Sequence, residues 1–547
     1  MSDVLSASQA RLTGVRFFRK LLLSAVQPGV AFFFILCLVL LQLSQPACAH
    51  AGALNRTDTL HLTLDEAVHR ALEHNFGIRE VMLDRETADQ QVREAWSNVY
   101  PRVDGSANFT RNIVTANPFA GSGAQDLFAG FGAIGWLRFN EQARLDGEDQ
   151  ITYEEYLDRQ MEGYEQAGIT PPSLDDDPFS VDNQFVASLV ITQTLFNGSA
   201  FAAIRGAEQF MQLREDAVHR ERQVVIDEVR RAYFSALLAR QQVEVLERSI
   251  DRLSRTVEDA RRTAEQGLSS RYEKLSAEVE LVNLETDLIE AENQAQLASK
   301  NINLILSLDV DQPIQLEGSL SMTSLQPVRE MSLNEAIEIA LEHRPDLQQA
   351  EGSIEINRIN ESLSRSSYRP VVNAFANIDY LGRVPDNREI IISNSEDPFH
   401  FDSQQRSFFH DSYWNPNVAV GINVSWNLFS GFQNQARVQQ SRIETRKSEI
   451  QYEFMSNAIR MEVDRALRNL TTAGRRIESQ RRNIEQARVN YDFAQARLQE
   501  GVGNSLEERQ ASMLLDQSQM SYLAAVHDYL VAVSNFELVL GVSIDLL

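Results

Sequence analysis

The sequence predicts an α+β membrane protein in which long α-helical coiled-coil hairpins are joined to four transmembrane β-strands per chain. Three observations carry that prediction. Apolar residues fall at Val225, Val229, Ala232, Ala236, Ala239, Val243, Leu246, Ile250, Leu253, Val257, Ala260 and Ala264, in alternating steps of four and three that mark a heptad seam. Further on, Val418, Val420, Ile422, Val424, Trp426 and Leu428 alternate with small or polar residues, the period of a strand with one apolar face. Finally, the whole pattern occurs twice at constant offsets.

The amino terminus comes first. Arg11, Arg16, Arg19 and Lys20 precede an apolar run from Ala31 to Leu41 and the small residues Ala47-Cys-Ala-His-Ala51. This is the layout of a cleaved secretory signal over residues 1–49, and its apolar core is shorter than the roughly 20 residues that span a bilayer as a helix. Cys37 and Cys48, the only cysteines, both lie within it. The mature chain is therefore expected to lack disulfides, cysteine catalysis and thiolate metal sites. Removing four basic side chains and one acidic one takes the formal charge from −26 to −29, so nucleic acid is not an expected partner.

Two repeats follow, residues 50–308 and 309–547. Each opens with a capping box, Thr63 with Glu66 and Ser332 with Glu335, whose hydroxyl and carboxylate satisfy free backbone N–H groups at a helix start. Each opening helix is expected to stop before Tyr100-Pro101 or Arg369-Pro370, because proline disfavours helical geometry in the residue before it. His74 and His343 fall near the ends of these helices and read as helix-end residues rather than metal ligands.

Strands follow each proline and again after a loop, the second pair being Phe185 to Leu195 and Val418 to Leu428. The first loop is the longer, glycine-rich over 121–135 and acidic over 141–182. Asp146, Glu148, Asp149 and Glu155 within it have a faint calcium-loop spacing, but Arg144 takes the first ligand position and the central glycine is missing. A solvated acidic face is expected there, and no metal site.

Leu195-Phe-Asn-Gly198 and Leu428-Phe-Ser-Gly431 then lead into the hairpins, 199–308 and 432–541. No glycine or proline interrupts 207–266, so the first outgoing helix extends to about 66 residues, or roughly 100 Å. An offset of 234 carries its seam onto Ile459, Val463, Ala466, Leu470, Ala473 and Ile477, with only Gln480 departing further along. The returning arms repeat likewise, Leu281 to Ile305 becoming Leu515 to Val539.

The signal, the two helix–strand–strand–hairpin repeats, the proline-led strands and the Leu-Phe-Asn/Ser-Gly joints together resemble the TolC family of outer-membrane efflux proteins, over essentially the whole mature chain. The resemblance implies a homotrimer whose chains form one trimeric 12-stranded β-barrel in outer-membrane lipid and one long periplasmic α-barrel. It implies an exit duct of a tripartite efflux pump or type I secretion system, docked to a periplasmic adaptor and an inner-membrane transporter, with no catalysis and no cofactors. Elementary physics reaches part of this alone: four strands cannot close a barrel, and an open sheet edge in hydrocarbon leaves backbone groups unpaired at several kcal/mol each.

The hairpin tips align at the same offset, Gly267-Leu-Ser-Ser-Arg-Tyr-Glu273 with Gly501-Val-Gly-Asn-Ser-Leu-Glu507. By resemblance they form the periplasmic entrance, and Gly267, Leu268, Ser269, Gly501, Val502 and Gly503 would receive the adaptor. Glu507 matches the outer acid of the family's entrance, Glu508 and Glu273 are further candidates, and Gln510 stands where a second acid is common. The bland reading of the three acids is favourable placement in the first turn of a helix. Leu498 and Gly503 replace the tyrosine and arginine that latch the entrance in other members.

Two rival architectures share some of these features. A trimeric coiled-coil surface protein would group its anchor strands at one end of the chain, and a periplasmic adaptor without a pore would lack alternating strands of membrane length.

Overall fold

The computed structural model describes residues 59–114, 124–171, 181–267, 270–320, 331–393 and 397–543, so the expected signal lies outside the described residues. The order over the first repeat is β1 (Leu60–Leu62), α1 (Leu64–His74), α2 (Phe76–Ser97), β2 (Arg102–Arg111), α3 (Ala124–Asp146), α4 (Tyr153–Ala167), β3 (Asn183–Phe196), α5 (Gly198–Glu265), α6 (Arg271–Ile305) and β4 (Ile314–Leu316). The second runs α7 (Leu333–His343), α8 (Pro345–Ser366), β5 (Val371–Val384), β6 (Glu389–Ser393), β7 (Phe401–Gln405), β8 (Trp414–Ser425), α9 (Gln433–Gln499) and α10 (Ser505–Leu540).

The capping box forms as expected: Thr63 N–H donates to Glu66 Oε2 at 2.9 Å, and Thr63 Oγ1 accepts from Glu66 N–H at 3.3 Å. Each opening helix is nevertheless broken in two. Asn75 ends α1 and caps α2, accepting from Gly77 N–H at 2.8 Å, while Pro345 takes the first position of α8, where its missing N–H costs nothing. His74 and His343 stand in the last turns of α1 and α7. α2 and α8 end at Ser97 and Ser366, before the two prolines.

The four long strands form one antiparallel sheet in the order β2-β3-β5-β8, so each repeat supplies a hairpin and β3–β5 joins the repeats. Its register sets rows of residues on common faces: Val103, Ile191, Ala376 and Val420 in one row, Gly105, Leu189, Ile378 and Val418 in the next. The opposite face carries Asp104, Val190, Asn377 and Ala419, then Ser106, Ser188, Asp379 and Asn417. β8 begins four residues before Val418 and ends at Ser425, so Trp426 and Leu428 lie past the strand. There the Trp426 indole N–H donates to Tyr368 O at 3.0 Å, which turns the chain toward the helices.

The first strand-to-strand segment is not the loop that glycine content suggested: α3 runs through Gly135, where a β-carbon would meet the Tyr156 hydroxyl at 3.0 Å. Gly135 thus serves close packing of α3 on α4. α4 in turn stacks Tyr164 on Phe401 of β7 at 4.1 Å, and Thr152 caps it with Glu154 and Glu155 in the first turn, which accounts for part of the acidic run.

The hairpins form as expected. α5 has 68 residues and α9 has 67. Val225, Val229, Ala232 and Ala236 of α5, and Ile459, Val463, Ala466 and Ala473 of α9, are buried. α5 packs on α6, α9 on α10, and α5 on α10. Nearer the sheet, α2 packs on α5 and α8 fills the space between α5 and α9. The helices thus form a row at both levels, α2-α5-α8-α9 and then α6-α5-α10-α9. Two cores hold it together, one around Leu62, Val229, Tyr233 and Leu306, the other around Leu347, Val463, Phe536 and Leu540. β1 and β4 pair in parallel beside the first core, where the Tyr233 hydroxyl lies 2.6 Å from Glu317 O. α10 is apolar enough over its length to cross a membrane, and its packing against both α9 and α5 accounts for that composition.

Candidate functional site: the hairpin tips and the sheet

Both tips reverse through a left-handed glycine, Gly267 at φ 74° and Gly501 at φ 73°. At the second, Gly501 N–H donates to Leu498 O at 3.1 Å and Val502 N–H to Arg497 O at 3.0 Å, the paired closure of a Schellman motif. Gly503 approaches so closely that a β-carbon would lie 3.0 Å from Arg497 Cβ. Val502 projects outward at 69% exposed. Leu268 and Ser269 lie outside the described residues.

The returning helices start alike. Ser270 Oγ accepts from Glu273 N–H at 3.2 Å, and Asn504 Oδ1 from Glu507 N–H at 2.8 Å, so Glu273 and Glu507 occupy the same third helical position of α6 and α10. Glu507 is exposed and faces Arg497, with Nε 3.7 Å from Oε2. Glu273 is partly buried, and its carbonyl accepts from Arg509 at 3.4 Å.

Glu508 departs from the expected entrance set. It is 8% exposed and points between the two hairpins, where burial pushes its carboxyl above the ordinary range against a hydrogen bond from Tyr491 and the nearby Arg252 and Arg509. A carboxylate placed there is an internal group of the hairpin pair rather than one that meets a passing ion. Around it Arg252 pairs with Asp516 and donates to Ser249 Oγ at 3.0 Å, and Arg509, 4% exposed, reaches Glu280 at 3.8 Å. Burial raises Glu280 as well. All four tip helices contribute to this cluster, beside a groove of about 530 Å³ lined by Glu273, Tyr491 and Glu508. Glu508 sits one heptad before the seam residue Leu515, so a carboxylate at a seam position was the signal for it. Arg252 and Asp516 gave none.

At the sheet, the apolar face is bare in the single chain: Val418, Val420, Ile422 and Val424 are 62–78% exposed. At one end it carries an aromatic row, Phe109 on Phe185 at 4.6 Å and Phe185 beside Trp414 at 5.6 Å, with Tyr380 stacked on Trp414 at 5.4 Å. The other face is polar, and Asn417 donates to Asp379 at 3.3 Å across it. β2 and β8 each pair on one side only among the described residues.

A family model described as outer membrane efflux protein matches residues 172–307 and 336–542. Among solved structures, the chain resembles CusC with a TM-score of 0.64 at 17% identity, covering 88% of this chain and 92% of that one. It resembles CmeC of Campylobacter jejuni with a TM-score of 0.64 at 14% identity, covering 91% and 93%, and VceC of Vibrio cholerae with 0.62 at 15%, covering 88% and 96%. At such identities these structures speak for the fold alone. Among curated proteins no sequence relative matches.

Proposed function

Because the chain belongs to the outer membrane efflux protein family, the TolC family of the sequence reading, we propose that it is the exit duct of a tripartite efflux pump or a type I secretion system. Three copies join β2 of one to β8 of the next and close a twelve-stranded barrel in the outer membrane, continued by a periplasmic barrel of helices. Residues 1–49 are removed on export, and the two repeats, 50–308 and 309–547, supply equal halves of each wall. The duct is passive and has no enzymatic chemistry or cofactor.

The observation that carries this reading is the pairing of an exposed apolar sheet face with two unpaired sheet edges. In water such a face loses about 25 cal/mol for every Å² left uncovered, and in lipid it is at home. In lipid, however, the unpaired edges cost several kcal/mol per backbone group, so closure by further copies is required. The aromatic row around Trp414 then sits at one membrane interface, and the polar face of Asp104, Asn377 and Asp379 lines the lumen.

The tips are the inner end of the duct. Gly267, Leu268, Ser269, Gly501, Val502 and Gly503 offer the surface on which a periplasmic adaptor seats, and the adaptor connects the duct to an inner-membrane transporter. Glu507, threefold repeated around one opening, favours cations, with Glu273 behind it. A surface fibre is less well supported, because its anchor strands would not be divided between two repeats joined through β3 and β5.

The test is direct. The mature protein purified in detergent runs as a trimer and gives cation-selective conductance in a planar bilayer. A water-soluble monomer without conductance overturns the reading.

A further inference from the structure

Where β8 hands the chain to α9, large apolar side chains stand in the open. Trp426, Leu428, Phe429 and Phe432 are 58–78% exposed, and among the described residues the rings of Phe429 and Phe432 meet only each other, edge to face at 5.5 Å. Backbone strain accompanies this exposure. Phe432 has φ 65°, one of two non-glycine residues in the left-handed region among the described residues, and it follows Gly431 at φ 61°. A β-carbon in that region crowds the following carbonyl oxygen, so the conformation persists only where some contact offsets its cost. The matching joint of the first repeat avoids the strain: Asn197 is extended and caps α5 by accepting from Ser199 N–H at 3.0 Å, whereas Phe432 gives α9 no side-chain cap. With its ring 70% exposed, Phe432 has no compensating contact within the chain. An apolar surface outside the chain supplies one.

The position of the cluster says which surface. β8 has 12 residues, from Trp414 to Ser425. That is about 36 Å of strand and, at a tilt of about 40°, roughly 28 Å along a barrel axis, close to the apolar band of about 25 Å that such barrels present to lipid. Trp414 and its aromatic row mark one border of the band, and this cluster stands at the other. Val371 pairs with Ser425, which brings Tyr368 and Arg369 to the same level, and the Trp426 indole N–H donates to Tyr368 O at 3.0 Å. Beyond this border the charge turns basic. Residues 433–447 carry four basic side chains and one acid in a chain of net charge −26, and Arg369 and Arg437 are exposed with no acid partner among the described residues. Apolar rings followed by free guanidinium groups match acyl chains followed by anionic headgroups.

We propose that Leu428, Phe429 and Phe432 anchor the chain in the periplasmic leaflet of the outer membrane, seated at the boundary of acyl chains and headgroups, with Arg369 and Arg437 over anionic phospholipid. The proposal rests on the channel reading, which supplies the membrane, and adds the residues that fix its depth and the lipid class they select.

The test uses the full mature chain in vesicles of phosphatidylcholine and phosphatidylglycerol. Its four tryptophans are changed (Trp96→Phe, Trp136→Phe, Trp414→Phe and Trp426→Phe) and one reporter is added, Phe432→Trp, Phe429→Trp or Val420→Trp. Bromine on an acyl chain quenches a tryptophan it touches. The Phe432→Trp and Phe429→Trp chains are expected to lose more emission to lipid brominated near the headgroup than to lipid brominated near the acyl terminus, and the Val420→Trp chain the reverse. Brominated phosphatidylglycerol should quench the Phe432→Trp chain about two- to fivefold more than brominated phosphatidylcholine at equal fraction, and Arg369→Gln with Arg437→Gln should remove that preference. If no reporter is quenched, the channel reading fails and the anchor with it. If Val420→Trp is quenched while both anchor reporters are not, or if all three share one depth profile, the anchor alone is overturned; a blue-shifted but unquenched reporter would mean that a neighbouring copy covers the site. Equal quenching by the two lipid classes overturns the part given to the arginines.

Discussion

Trp414 lies across the backbone of Gly382, its ring atoms 2.6–2.8 Å from the place a β-carbon on residue 382 would take. The absent side chain lets the indole bridge Phe185 and Tyr380 on the apolar face of the sheet. Gly382→Leu drives the ring out of that row and is expected to cost about 1–3 kcal/mol, as inserted methylenes do in well-packed sites. Heat dissociation of the detergent trimer reads the loss. A wild-type profile would mean that the aromatic row has no part in stability.

Burial raises the carboxyls of Glu508 and Glu280 above their ordinary value of 4.5, so the folded chain holds these protons to higher pH than the unfolded chain does. Stability from the cluster is therefore complete below that value and is lost as pH rises through the raised folded values. Amide exchange across the start of α10, corrected for intrinsic rate, should slow as pH falls from about 7 toward 5. Glu508→Gln, which stays neutral throughout, should flatten that dependence. An unchanged slope would assign the effect elsewhere.

Glu507 is exposed, and its ion pair with Arg497 spans 3.7 Å, so the pair contributes no more than about 1 kcal/mol to the fold. Glu507→Gln should leave trimer yield intact and shift the reversal potential in a salt gradient toward zero as cation selectivity weakens. Selectivity equal to wild type would remove Glu507 from the entrance.

Arg344, 4% exposed, pairs with Asp346 at 2.6 Å and Glu462 at 2.5 Å where α7 meets α8. Arg344→Met leaves Asp346 without its base. The expected loss is about 2 kcal/mol, below the roughly 3–5 for a fully buried pair because Glu462 is half exposed. Chemical denaturation of the mature protein measures it, and a midpoint like that of wild type would show that the joint is held by packing alone.

Much of the architecture was legible because it rests on periodicity. Steps of four and three over Val225 to Ala264 admit only a long helix with one buried stripe, and Val418 to Val424 admit only a strand with one apolar face. Tip glycines and the capping box of Thr63 with Glu66 were visible because left-handed turns and free N–H groups restrict residue type so strongly. The helix through Gly135 was not visible, because that glycine answers to contact with Tyr156 of α4, which lies in no local pattern. The breaks at Asn75 and Pro345 were hidden within otherwise helical stretches.

The sequence by itself determined the two long hairpins, the alternating strand at Val418 to Val424, that the pattern occurs twice, and that both hairpins turn on glycine, since each follows from backbone stereochemistry and local spacing. Only the tertiary structure decided that β3 pairs with β5, and that Glu508 turns inward to Tyr491 while Glu507 turns out. Those outcomes depend on contacts between residues far apart in the chain, whose free energies exist only once distant surfaces have been brought together and water has been displaced from between them.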